Sequence, residues 1–256
     1  MTAYEIVAIL GAFAWLPPII TVIRRWILTP KVRLIAQRTV EIGFTNYGPI
    51  ANLHVAFSVS GRDVVVSNIK MKIIHESGEQ RVFTWQGIVQ HIGRLSNPGT
   101  AQVPYDKEQS VLAMKLHVND IEERFIRFQE DEFIAGKYPI EEKAIKHLLY
   151  LRESGQFEAS KFLSSEQMTD LYKYMGQSFN WKKGKYTVVF EMSSPERFRL
   201  LDNVYHFELT TIDIEALEKN KETIDKEYEN EVSTGPDGSA PNAIQWNWRY
   251  PNFSGT

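Results

Sequence analysis

The chain contains no cysteine. That one absence excludes disulfides, thiolate metal sites, cysteine nucleophiles and palmitoylation, and it agrees with a reducing compartment. Catalytic signatures are scarce as well. No serine sits in a GxSxG, and no glycine run forms a phosphate loop or a dinucleotide fingerprint. The 6 histidines are scattered, with no HxH or HxxxH spacing, and alternation puts His54, His117 and His206 on the polar faces of their strands. An acidic stretch, Glu130-Asp131-Glu132 with Glu122 and Glu123 nearby, lacks the alternating oxygen ligands of a calcium loop and reads as a solvated face. No cofactor and no metal are expected, and the sequence gives no reason to expect an enzyme. A formal net charge of −3, from 29 basic and 32 acidic residues, gives no bulk attraction to nucleic acid.

What is present begins at the N-terminus, where Ile6 to Ile23 run without a charged residue. As a helix at about 1.5 Å per residue this run covers about 27 Å, close to the roughly 30 Å hydrocarbon layer. Trp26, Ile27 and Leu28 extend it if Arg24 and Arg25 snorkel, so contact with a lipid bilayer is expected through residues 6–28. No Lys or Arg precedes the run, whereas Arg24, Arg25, Lys31, Arg33 and Arg38 follow it. Basic flanks stay on the cytoplasmic side, so the expectation is a single-pass anchor with its N-terminus outside and the rest of the chain cytoplasmic. A cleaved signal peptide would need a basic segment before the apolar run and a small-residue cleavage site after it. Pro17 and Pro18 fall mid-span and deprive the carbonyls near Phe13 and Ala14 of partners, which predicts a kink.

From Lys31 to about Val118 the apolar period is two, the signal of strands with one buried face. Val40, Ile42 and Phe44 alternate ahead of a turn at Asn46-Tyr47-Gly48-Pro49; Leu53, Val55, Phe57 and Val59 form the next face. Ile69, Met71 and Ile73, a Ser77-Gly78 hairpin and a return strand over Arg81 to Trp85 follow, and then Leu112, Met114, Leu116 and Val118. After a candidate cap at Asn119 the spacing of Ile121, Phe125 and Phe128 predicts a helix, and Ile140–Leu151 and Ser165–Met175 also read as helical. Strands return at Lys185–Met192 and Val204–Thr211.

These strands predict a mainly β domain over residues 31–212, interrupted by a helical insertion over 119–180. The layout over about 31–118 and 183–212 is similar to immunoglobulin-like sandwiches, in architecture alone, because the Cys, Trp, Cys core of true immunoglobulin domains is missing. The organisation read from sequence is therefore an anchor over 1–30, an antiparallel immunoglobulin-like β-sandwich with its insertion, a charged helix over 213–232 and a flexible tail over 233–256. The helix carries a narrow stripe at Ile214, Leu217, Ile224 and Tyr228. The tail carries Trp246, Trp248, Tyr250 and Phe253, four aromatics that need cover either from the domain or from a partner.

Two further features bear on contacts. Lys182, Lys183 and Lys185 surround a turn between Trp181 and Tyr186, a candidate contact for phosphates or anionic headgroups. Asn252-Phe253-Ser254 fits the glycosylation triplet, without meaning in a cytoplasmic domain. The function expected from this combination is a protein-binding accessory, scaffold or sensor subunit of a membrane-associated complex, with another protein or a second copy as partner. The alternative is a membrane-tethered hydrolase with its site between the helical insertion and the sandwich.

Overall fold

The structure, a computed structural model, describes residues 15–23, 29–95, 103–109, 112–233 and 242–255, with side chains of 88–111 left aside. It is mainly β, with a curled sheet. Residues 15–23 are helical (α1), and their apolar side chains are exposed, Trp15 to 70%. Among the described residues no helix is long and apolar enough to cross a membrane. Most of the expected span, residues 6–14 and 24–28, lies outside the described residues, as do Phe13 and Ala14, where the kink was expected.

Thirteen strands follow among the described residues. The first nine are β1 (Lys31–Ala36), β2 (Glu41–Thr45), β3 (Gly48–Ser60), β4 (Val64–Val66), β5 (Asn68–His75), β6 (Gln80–Leu95), β7 (Val103–Gln109), β8 (Met114–Leu116) and β9 (Ile121–Glu130). After the helices come β10 (Gly184–Ser193), β11 (Arg199–Leu201), β12 (Val204–Leu209) and β13 (Ser254–Gly255). Eleven of them make one sheet in the order β11-β1-β3-β9-β6-β5-β10-β12-β13, with β2 also on β3 and β7 also on β6. The two separately bonded sheets of an immunoglobulin-like sandwich are thus replaced by a single sheet. Its long strands β3 and β6 each serve two or more neighbours and carry the pairing continuously around the core.

The curl brings the ends of this path together. β11 lies parallel to β1 at one end, and two residues later the chain has become β12 at the other. Arg33 of β1 pairs with Asp202 in that connection at 2.9 Å, and the Tyr205 hydroxyl of β12 donates to the Leu34 carbonyl at 2.9 Å. Inside lie Phe44, Phe57, Phe83, Phe128 and Phe190, all fully buried, each stabilising the fold by about 1.5–3 kcal/mol relative to exposure. β4 and β8 form a separate ribbon closed by Asp63, which accepts from the Val118 N–H and faces Lys115; these hydrogen bonds hold its carboxyl at about 2.

One expected helix is a strand. Ile121–Glu130 pairs with β3 on one side and β6 on the other, at the centre of the sheet. Ile126, Phe128 and Glu130 point into the core, and Asn119 is a turn residue at φ 63° and not a helix cap. The helical insertion therefore runs through α2 (Asp131–Glu153), α3 (Ala159–Leu163) and α4 (Glu166–Gln177), the last capped by the Ser165 side chain. The charged C-terminal segment is two helices, α5 (Thr211–Glu218) and α6 (Asn220–Ser233). A reciprocal Thr210/Asp213 capping box starts α5, and the predicted stripe packs inward with Leu217, Ile224 and Tyr228 buried.

The segment 242–255 docks on its own domain. It first follows α6, where two asparagines imitate a β-ladder: Asn230 bonds both the N–H and the C=O of Asn242, and Asn220 does the same for Asn247, at 2.8–2.9 Å. It then exchanges bonds with β2 through Ile42 and Arg249, and Phe253 donates to the Arg38 carbonyl at 2.7 Å. It ends as β13 on β12, so it straps the β2 side of the sheet to the β12 side. Because Asn220 is fully buried, Asn220→Ala leaves two backbone groups of Asn247 without partners; a loss of about 2 kcal/mol is expected in urea unfolding, at unchanged m-value.

Candidate functional site

The strap roofs a cavity of about 620 Å³ on the outer face of β2, β3 and β9. Strand alternation dictates its floor. Ile42, Phe44, Leu53, Ile126 and Phe128 point to the core, so their neighbours Glu41, Thr45, Asn52, Arg127 and Gln129 point the other way. Register then aligns Glu41 with Asn52 and Asn52 with Arg127 across three strands. The β2–β3 turn adds Asn46 and Tyr47, α6 adds Glu227, and the strap adds Trp246, Trp248 and Tyr250. The close approach of the strap needs glycine beneath it: a Cβ at Gly43 would lie 2.2 Å from the Trp248 ring.

Its polar groups are only partly matched. The Asn52 amide donates to Glu41 at 3.2 Å, and the Thr45 hydroxyl oxygen accepts from the Tyr47 N–H at 3.1 Å. Asn46 Oδ1, Asn52 Oδ1 and Glu227 Oε2 are closed off from solvent without any partner. These are three of the eight side-chain atoms in that condition among the described residues, and all three belong to residues that line this cavity. Burial raises the Glu227 carboxyl above its ordinary range, as does nearby Glu231, against the pull of Lys137. Lys137 is itself buried, bonded to Glu141 at 2.8 Å and 5.9 Å from the ring centroids of both Tyr47 and Tyr228. Behind it burial drives the Tyr228 hydroxyl far upward.

The residues singled out from sequence part company here. Trp246 and Trp248 are half-buried in the cavity wall, Tyr250 stays 57% exposed at its rim, and Phe253 belongs to the core. Lys182, Lys183 and Lys185 sit on an exposed tip, but Lys182 is bonded to Glu79 at 2.5 Å. That bond, with one from Arg81, holds the Glu79 carboxyl at about 2. The tip also lies at the far end of the strands from Lys31: β1 enters beside Ser60 at the end of β3, whereas Gly184 and Tyr186 pair with Leu209 and His75 at the opposite end. Pro17 and Pro18 lie within α1, where Thr21 Oγ1 donates to the Pro17 carbonyl at 2.8 Å, and Arg24 and Arg25 lie outside the described residues.

Among the described residues no group of three or more His, Asp or Glu is placed to hold a metal ion. Glu41, Asn46, Asn52, Arg127 and Glu227 carry no signal in sequence spacing; strand register and the strap bring them together. Compared with protein-family models, curated proteins and solved structures, the chain finds no match.

Proposed function

We propose that this chain is a single-pass membrane protein, N-terminus outside, whose cytoplasmic β domain binds another protein as an accessory, scaffold or sensor subunit of a membrane-associated complex. The observation that carries the binding role is the strap-roofed cavity: aromatic side chains stand beside buried acceptors that lack partners, in a volume suited to one inserted group. Its lining offers recognition groups and no nucleophile paired with a base. The membrane part rests on the apolar run before Arg24, and the exposed apolar side chains of α1 are in keeping with cover from lipid.

Full-length protein extracted in mild detergent is expected to carry a companion protein at a defined mass. Tyr250→Ala, which changes the rim and leaves the core alone, is expected to weaken the association about tenfold. A strictly monomeric protein under these conditions, with no effect of the substitution, overturns the proposal. Because the chain lacks cysteine, orientation is read from single introduced thiols. Thr2→Cys is expected to react with a membrane-impermeant maleimide on intact cells, and Ser254→Cys only after permeabilisation. The reverse pattern refutes the orientation.

A further inference from the structure

We infer that the cavity holds an organic cation bearing N–H donors, an alkylammonium or guanidinium group. The inference rests on the binding role proposed above and names the chemistry of what enters. Three observations converge on it. The two tryptophans and Tyr250 present aromatic surface, whose faces carry negative potential and attract cations. Asn46, Asn52 and Glu227 line the cavity, and each carries an acceptor oxygen shielded from water without a donor, so a side-chain rotation that turns it toward an entering group is rewarded only if that group brings a donor. The carboxylates of Glu41 and Glu227 outweigh the one guanidinium of Arg127 in the lining, and Arg127 already has an interaction of its own.

The fold already uses the same chemistry next door. Lys137 places its ammonium 5.9 Å from the Tyr47 and Tyr228 ring centroids and bonds it to Glu141. Tyr47 also lines the cavity, so one aromatic borders both a resident cation and the position of an incoming one. An anion would face the Glu41 and Glu227 carboxylates, with Arg127 already engaged, and a purely apolar group would leave all three oxygens unmatched.

The test uses the full chain in detergent, by calorimetry with tryptophan fluorescence in parallel. The probes are n-butylammonium chloride, n-butylguanidinium chloride and glucose, together with acetyl-Gly-Lys-Gly-amide and its norleucine counterpart. Saturable binding of the butyl cations is expected, competed by the lysine peptide and not by the norleucine peptide. Glu227→Gln is expected to weaken it about tenfold. Asn46→Leu, which removes an oxygen that has no partner, is expected to weaken it about fivefold with the unfolding midpoint unchanged or raised, so the test survives if one variant misfolds. No saturable cation binding, equal binding of glucose or the norleucine peptide, or indifference to both substitutions overturns the inference. Cations bound with the lysine peptide refused support a site for free amines and count against protein docking here. A companion protein lost in Tyr250→Ala with no cation binding leaves the binding role standing and overturns the cation.

Discussion

Phe253→Ala is expected to lower stability by about 3–5 kcal/mol, the range for deleting a buried aromatic. Phe253 is 4% exposed and stacks on Tyr205 with ring centroids 4.9 Å apart and planes within 1°. Its other ring neighbours are Phe190 and Phe207. Truncation therefore opens a cavity shared by β10 and β12, and it frees the end of the strap that closes the curled sheet. The Tyr205 ring, which also ties β12 to the Leu34 carbonyl, loses its stacking partner. Urea unfolding followed by circular dichroism measures the loss. A cost below about 1 kcal/mol would mean that the strap end does not close the core.

Arg81→Met is expected to cost about 3–5 kcal/mol near neutral pH, because it leaves a buried carboxylate unpaired. Glu130 is 3% exposed and accepts from Arg81 Nη1 at 2.8 Å. Burial raises its carboxyl above the ordinary range despite that pull. The direction of the pH dependence follows. A group bound more tightly to its proton in the folded state stabilises most below its unfolded value, and that contribution fades as pH rises through the folded value. Without Arg81 the Glu130 carboxyl rises further, so the deficit of the variant is expected to shrink as pH falls from neutral toward the ordinary carboxylate range. Glu79 works in the opposite direction, since its lowered carboxyl loses stabilisation only as pH falls toward about 2. It stays ionised across this window with Lys182 as remaining partner, so the trend reports Glu130. A pH-independent deficit would rule out an uncompensated charge as its origin.

Strand faces were legible wherever alternation was strict. Ile42 and Phe44, Leu53 to Val59, Ile69 to Ile73 and Val188 with Phe190 all point inward, as the period of two requires. The same principle failed over Ile121–Glu130, where 121, 125 and 128 satisfy a helical spacing by coincidence. There the central position between β3 and β6 imposes extended backbone, a tertiary demand that local pattern does not carry. The single curled sheet was hidden for a related reason: nothing in β3 says that its first half serves β2 and its second half β1. The four tail aromatics signalled that the segment needed cover. That the cover is the chain's own sheet depends on Asn220 and Asn230, ordinary polar residues whose partners lie 27 and 12 positions away. The cavity floor was invisible because it consists of the outward-facing residues that alternation marks as solvent-exposed.

The pairing of β1 also has a mechanical consequence. Tension arriving through residue 30 acts along β1, whose bonds to β3 run over six residue pairs and to β11 over three. Interstrand hydrogen bonds lie across the strand axis, so such a pull loads them in shear and together instead of peeling them one by one. A pull at that point therefore meets both seams of β1 at once, and the next strand of the same chain, β2, is the one on which the strap stands.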